Sequence, residues 1–263
     1  MKKKKLKWMG GKMGLSISES TDKSAIRSLI ETLRVRSIPQ SLVRIGSDAD
    51  GGYLVPDDLA GITACYSPGV DFNASFESDL YEKYSIGSHL ADRSVDAPPA
   101  DARFLSFTKK HIGAVDDHHL ITMESWVQST SRNGICGDLL LQMDIEGAEY
   151  VSVLRMSDHL LSRFRIIVIE IHDVESWRHP QFFAVVSAFF DHLLRHFWVV
   201  HNHPNNCCGL IDLCGITAPR VFELTLLRKD RCEPEGYSLR FPHPLDRPNI
   251  ARRKDLVLPQ DWM

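Results

Sequence analysis

Apolar residues recur at helical spacing from Ser24 to Val35, where Ile26, Leu29, Ile30 and Leu33 share one face. The stretch from Arg44 to Pro56 is dense in Gly and Asp and predicts a hairpin or turn centred on Asp50-Gly51-Gly52. From Ile62 onward, short apolar runs alternate with helical stretches. Strands are predicted at Ile62 to Ser67, Ile86 to Ala91, Arg103 to Thr108, Leu139 to Met143 and Ile166 to Ile169. Helices are predicted over Ala74 to Tyr84 and Glu149 to His159. Pro180 opens another helix, a placement that suits proline, and its Phe182, Phe183, Phe189 and Phe190 face reads as core. Trp198 to Val200 and Val221 to Leu227 complete the strands. Apolar runs separated by helices imply an α/β fold, with a mostly parallel sheet and helices on both faces.

Composition narrows the class. A chain of 263 residues fits one large domain, or one domain with an extra segment. Its net charge of −3 provides no global basic field, so no nucleic-acid partner is expected. The lysines at the start are followed by Trp8-Met9-Gly10-Gly11 rather than an apolar core, so secretion is not expected and residues 1–20 read as a flexible basic tail. No segment approaches the ~20 apolar residues of a membrane span, which argues against integral membrane association. The six cysteines show no framework spacing and read as free thiols of a cytoplasmic protein. Zinc at His201, His203, Cys207, Cys208 and Cys214 is not expected, because the paired Cys-x-x-Cys spacing is absent. Asn205-Asn206 suit a turn, or amide contacts to a substrate. The oligomeric state stays open.

In an open parallel sheet, ligands bind at the carboxyl ends of the strands. The residues there are Gly69, Asp71, Asp92, Asp144, Glu170 and His172. A row of acidic strand ends suggests a site rather than a set of caps. The first loop, Ser67 to Glu77, has one glycine instead of the three that cradle a pyrophosphate. Its acidic side chains suit a cofactor with hydroxyls and an ammonium group but no phosphate, as in S-adenosylmethionine. Candidate cofactor residues are Ser67, Gly69, Asp71, Asn73, Glu77, Asp92 and Asp144. Asp92 can accept ribose hydroxyls, or it can cap a turn with Arg93 and Ser94.

The most specific motif is Asp144-Ile145-Glu146-Gly147-Ala148-Glu149. It resembles the Asp-x-Glu-Gly-x-Glu signature of the FkbM-type S-adenosylmethionine-dependent methyltransferase family. Asp50-Gly51-Gly52-Tyr53, Ser67-Pro68-Gly69-Val70-Asp71, Ile169-Glu170-Ile171-His172 and His201-Asn202-His203-Pro204-Asn205-Asn206 resemble further family elements in order, over roughly residues 40–230. The resemblance implies a Rossmann-like methyltransferase fold. Its sheet would be seven-stranded with an antiparallel last strand, for which Val221 to Leu227 is the candidate. It also implies methyl transfer to an oxygen of a sugar, glycan or natural product. Residues 21–61 then form an N-terminal helix and hairpin cap, 62–230 the methyltransferase domain and 231–263 a loop-rich extension. Pro68 stands where methyltransferases often carry glycine.

A hydroxyl acceptor must lose its proton, and candidate catalytic residues are Asp144, Glu170, His172 and His203, placed in a later loop. A histidine suits neutral pH as the base, with His172 slightly ahead of His203. Asp144, Glu146, Glu170 and the two histidines could instead hold Mg²⁺. Three alternatives compete. Asp48-Ala49-Asp50 with Asp144-Ile145-Glu146 would suit a metal-dependent glycosyltransferase, but no basic cluster for a diphosphate accompanies them. An NAD-dependent oxidoreductase lacks its glycine fingerprint. A non-catalytic binding module could share the same fold.

Overall fold

A computed structural model describes residues 19–70, 72–98, 105–130 and 137–263. The chain opens with α1 (Lys23–Thr32), capped by Asp22, whose carboxylate accepts the Ser24 N–H. Strands β1 (Arg36–Ser37), β2 (Leu42–Gly46), β3 (Gly52–Pro56) and β4 (Ile62–Pro68) follow, then α2 (Ser75–Tyr84) and β5 (Ser88–Ala91). Next come β6 (Leu105–Thr108), β7 (His111–Ile112), β8 (Leu120–Ile121), α3 (Met123–Thr130) and β9 (Asp138–Met143). Helices α4 (Glu149–Leu154) and α5 (Asp158–Leu161) lead to β10 (Phe164–Ile171) and α6 (Pro180–His196). The chain ends with β11 (Phe197–Pro204), β12 (Leu210–Asp212), β13 (Thr217–Pro219), β14 (Phe222–Arg228) and β15 (Gly236–Tyr237). No helix among the described residues is long and apolar enough to cross a membrane.

The main sheet has seven strands in the order β11-β14-β10-β9-β4-β5-β6. Strands β10, β9, β4, β5 and β6 pair in parallel, while β14 is antiparallel to both of its neighbours. This is a Rossmann-like arrangement, and β14 is the inserted reversed strand expected at Val221 to Leu227.

Strand alternation divides the core between two faces. Leu139, Leu141, Ile167, Ile169 and Ile171 pack with α1, α3, α4 and α6. Leu140, Ile166 and Val168 pack with the β2–β3 hairpin and with Phe76 and Leu80 of α2. Two of the differences from the sequence expectation change an element or the placement of a candidate residue. The helix expected over Glu149 to His159 is two helices, because Ser157 caps a new one by accepting the Leu160 N–H. The strand expected at Trp198 to Val200 continues to Pro204, so His203 lies in β11 and not in a later loop.

The C-terminal segment is irregular but anchored. Trp262 is buried in the first core, 5.1 Å from the Phe222 ring, and its Nε1 donates to Thr217 O. Upstream, residues 243–255 cross the site edge of β11 and β14 as a strap. Asp246 meets His201 Nε2 at 2.9 Å, and the Ile250 N–H donates to Asn206 Oδ1 at 2.8 Å. The Asn249 side chain donates to Glu223.

His203 lies between Glu223 Oε2 at 3.4 Å and Asp255 Oδ1 at 3.3 Å. Burial alone would lower its pKa; Asp255 and Glu223 outweigh burial and hold it up at about 10. A pKa raised on folding contributes stability that is full below the unfolded value of about 6.5 and is lost as pH rises through the folded one. The strap is therefore expected to resist limited proteolysis at pH 6.5 and to be cut within residues 231–255 as pH passes about 10. A His203→Ala variant is expected to lose about 3 kcal/mol in urea unfolding at pH 7, through the uncompensated carboxylates left behind.

Candidate functional site

A cavity of about 720 Å³ opens at the carboxyl ends of β4, β5 and β9. Gly69 (φ +83°) sets its floor. A Cβ there would lie 1.5 Å from the Asp144 carbonyl oxygen, so the first loop closes onto the 144–149 motif only with a glycine. Asn73 ties this loop to the hairpin: its Nδ2 donates to Asp50 O, and its Oδ1 accepts the Ser75 N–H, both at 3.0 Å. The hairpin thereby supplies Asp50, Gly51 and Tyr53 to the wall.

Of the residues expected to hold a cofactor, Gly69, Asn73, Glu77, Asp92 and Asp144 line this cavity. Ser67 does not. It is fully buried behind the wall, with its hydroxyl between Glu77 Oε1 and Gln142 Oε1. Burial pushes the Glu77 pKa up, and the Ser67 hydroxyl partly offsets that. Gln142 continues the chain by donating to Tyr53 Oη. Asp71 lies outside the described residues. Asp92 caps the turn, its Oδ1 accepting the Ser94 N–H and O–H at 2.7 Å, and the residue also lines the cavity.

His172 follows β10 directly. Its Nδ1 lies 2.9 Å from Glu149 Oε1, which also accepts the Ile145 N–H. Glu149 is completely buried in the first turn of α4. With Nδ1 held, Nε2 faces Asp144 at 3.7 Å, Glu146 at 3.5 Å and Glu170 at 4.0 Å. The Tyr150 hydroxyl donates to His172 O at 2.7 Å, and Trp177 Nε1 donates to the same hydroxyl. Burial would lower the His172 pKa; Glu149, then Asp144 and Glu146, reverse that and raise it above 6.5.

Burial pushes Asp144 up to about 6. Glu170 goes higher, through burial and the neighbouring charges of Asp144 and Glu223. Near neutral pH Glu170 is therefore the protonated partner and Asp144 the carboxylate. Glu170 Oε1 accepts from Asn205 Nδ2 at 2.7 Å. Glu146 and Asp173 flank His172 with φ of 55° and 54°, a strained conformation for residues with side chains.

The structure thus gathers Asp144, Glu146, Glu170 and His172, and engages His203 elsewhere, with Glu223 and Asp255. A second depression of about 160 Å³ adjoins His172 and is lined by Glu146, Asp173, Glu175, Cys208 and Arg220. Glu146 borders both cavities. Asp144, Glu149 and His172 also offer ligand atoms within 4.8 Å of one another, a spacing that fits one cation. Asp48 stays outside this group, with its side chain 89% exposed beside Arg44. The sequence reading missed Glu149 as the orienting carboxylate, although it closes the quoted motif. It also missed Gln142 and Tyr53; their signal is a polar residue inside an otherwise apolar strand and an aromatic after the Gly-Gly pair.

The family model described as the methyltransferase FkbM domain matches residues 104–199, a span that includes the 144–149 run, Glu170 and His172. No curated protein matches the chain. Among solved structures, the pyocyanin biosynthetic protein PhzM is 16% identical, over 65% of this chain and 51% of that one, with a TM-score of 0.32. The chain therefore spans about half the length of PhzM. A tryptophan-to-alanine mutant of the 16S rRNA (adenine(1408)-N(1))-methyltransferase from Catenulisporales acidiphilia is 15% identical, over 74% of this chain and 99% of that one, also with a TM-score of 0.32. The family match falls on the strands and side chains that build the site, so residues 104–199 are similar to the methyltransferase FkbM domain.

Proposed function

We propose that the protein methylates a hydroxyl of a sugar, glycan or natural-product acceptor, with His172 as the general base. The observation that carries this reading is the anchored imidazole. Buried Glu149 holds Nδ1, which leaves Nε2 directed at Asp144 beside the two cavities. That is the arrangement of a base with its orienting carboxylate.

The large cavity fits S-adenosylmethionine in size and in chemistry, since its walls carry carboxylates and an amide rather than a phosphate cradle. When bound, the cofactor supplies a methyl group on a sulfonium centre. In this reading Asp92 accepts hydroxyls of the ribose, while Gly69, Asn73, Glu77 and Asp144 shape the rest of the site. Ser67 acts from behind, by fixing Glu77. The depression beside His172 receives the acceptor, so that its hydroxyl can give a proton to Nε2. Ionised Asp144 favours the resulting imidazolium, and neutral Glu170 keeps Asp144 in place. His203, held as a cation by the strap, is assigned to structure rather than to proton transfer.

The mutual distances of Asp144, Glu149 and His172 favour a second reading, in which they hold Mg²⁺ that activates the acceptor. Turnover unchanged in EDTA would support the histidine base; turnover lost in EDTA and restored by Mg²⁺ would support the metal.

Asp92→Ala is expected to weaken S-adenosylhomocysteine binding by about 10–100-fold in calorimetry, the scale of a lost charge-assisted hydrogen bond. His172→Ala is expected to lower kcat by about 10²–10⁴-fold while leaving that affinity unchanged. Only neutral His172 can accept a proton, and its pKa lies above 6.5, so wild-type kcat is expected to rise with pH beyond 6.5 and then level off. A flat profile, or full turnover in His172→Ala, would move the base elsewhere.

A further inference from the structure

Two thiols sit at the rim of the depression beside His172. Cys207 and Cys208 occupy the turn after β11, with their sulfur atoms 2.6 Å apart. Cys208 is exposed and lines the depression together with His172 and Glu146. Gly209 follows, where a Cβ would meet no atom within 4 Å, and its carbonyl accepts the Arg220 N–H at 3.0 Å.

The turn is also a junction between the site and the strap. The Cys207 N–H donates to Asn205 Oδ1 at 2.8 Å, and the same Asn205 side chain donates to Glu170. Asn206 accepts the Ile250 N–H and donates to the Ile250 carbonyl. Arg253 donates to Cys207 O. Any change in backbone geometry at 207–208 therefore reaches both the catalytic carboxylates and residues 250–253.

We propose that Cys207 and Cys208 form a reversible dithiol–disulfide site, oxidised by small-molecule disulfides of the glutathione type, whose closure loosens the strap from Asn206. The site stands on its own geometry and does not depend on which acceptor is methylated. Cys208, the exposed thiol, enters first: its thiolate attacks the disulfide RSSR, forming a Cys208 mixed disulfide and releasing RS⁻. Burial and the adjacent sulfur keep the Cys207 thiol protonated. The first RS⁻ takes the Cys207 proton, the resulting Cys207 thiolate attacks the Cys208 sulfur and expels the second RS⁻, and that thiolate takes up the proton released by Cys208. The balance is two protein thiols plus RSSR giving one protein disulfide plus two RSH. The closed ring contains the 207–208 peptide and cannot keep its present geometry, so the Cys207 N–H and the amides of Asn205 and Asn206 must shift.

The test treats the reduced full-length protein with glutathione disulfide, blocks the remaining thiols by alkylation and maps the peptides by mass. The expected product is a 207–208 peptide that lacks two hydrogens, resists alkylation and is restored by dithiothreitol. Cys208→Ser and Cys207→Ser should each abolish it, while Cys214→Ser should leave it intact. In the oxidised protein, hydrogen exchange at the Ile250 amide should be faster by about fivefold or more, as its bond to Asn206 opens. A mixed disulfide that stays on Cys208, a bond to Cys214 or Cys232, thiols that survive the treatment, or unchanged exchange at Ile250 would each overturn the proposal. The mapping on wild-type protein decides the chemistry even if a serine variant folds poorly.

Discussion

Glu149 carries a carboxylate with no exposure to solvent, and a buried charge of that kind costs several kcal/mol unless neighbouring groups satisfy it. The Ile145 N–H and the His172 ring satisfy one of its oxygens. To do so, the turn after β9 and the turn after β10 must be held together. That constraint explains the backbone on either side, where Glu146 and Asp173 accept left-handed conformations they would otherwise avoid. It also explains why the imidazole is aimed and not merely present. The Tyr150 and Trp177 contacts then fix the His172 carbonyl, so the ring is held at one nitrogen and its backbone by a second network.

Much of this is written locally in the chain. The apolar runs mark β4, β9 and β10 because these are buried on both sides, and β10, with eight buried residues in succession, is the clearest. The 144–149 motif also reads directly, since its spacing places a carboxylate at the strand end and another in the following helix. What the sequence does not show is burial produced by distant partners. His201, Asn202 and His203 look like loop residues, yet they continue β11, because Asp246 and Asp255 arrive from the strap to pair with the two histidines. Without those partners, two histidines in a buried strand would be unfavourable. The small strand pairs β7–β8 and β12–β13 are two or three residues long, too short to show alternation. The break at Ser157 was available as a capping serine within a helical pattern, but helical periodicity outweighs one polar residue in such a reading.

The two faces of the sheet divide the labour. One face carries the larger core, with α6 and the ring cluster of Trp177, Phe222 and Trp262, and it anchors the end of the chain. The other receives the hairpin and α2, whose loops wall the large cavity. Because Asn73 joins hairpin and loop, the wall is braced from two sequence regions. The strap adds a third, where Asn249 bonds Glu223 and its carbonyl accepts the Asp50 N–H.

The reversed strand β14 has a consequence for synthesis. When β10 leaves the ribosome, one of its edges has β9 to pair with and the other has nothing. The strand that covers that edge is encoded only after α6, β11 and the β12–β13 hairpin. Until then, a mostly apolar strand presents open hydrogen-bonding groups, which is the usual starting point for association between unfinished chains. Cells producing this protein at high rates should therefore depend on chaperones that shield the nascent chain during that interval.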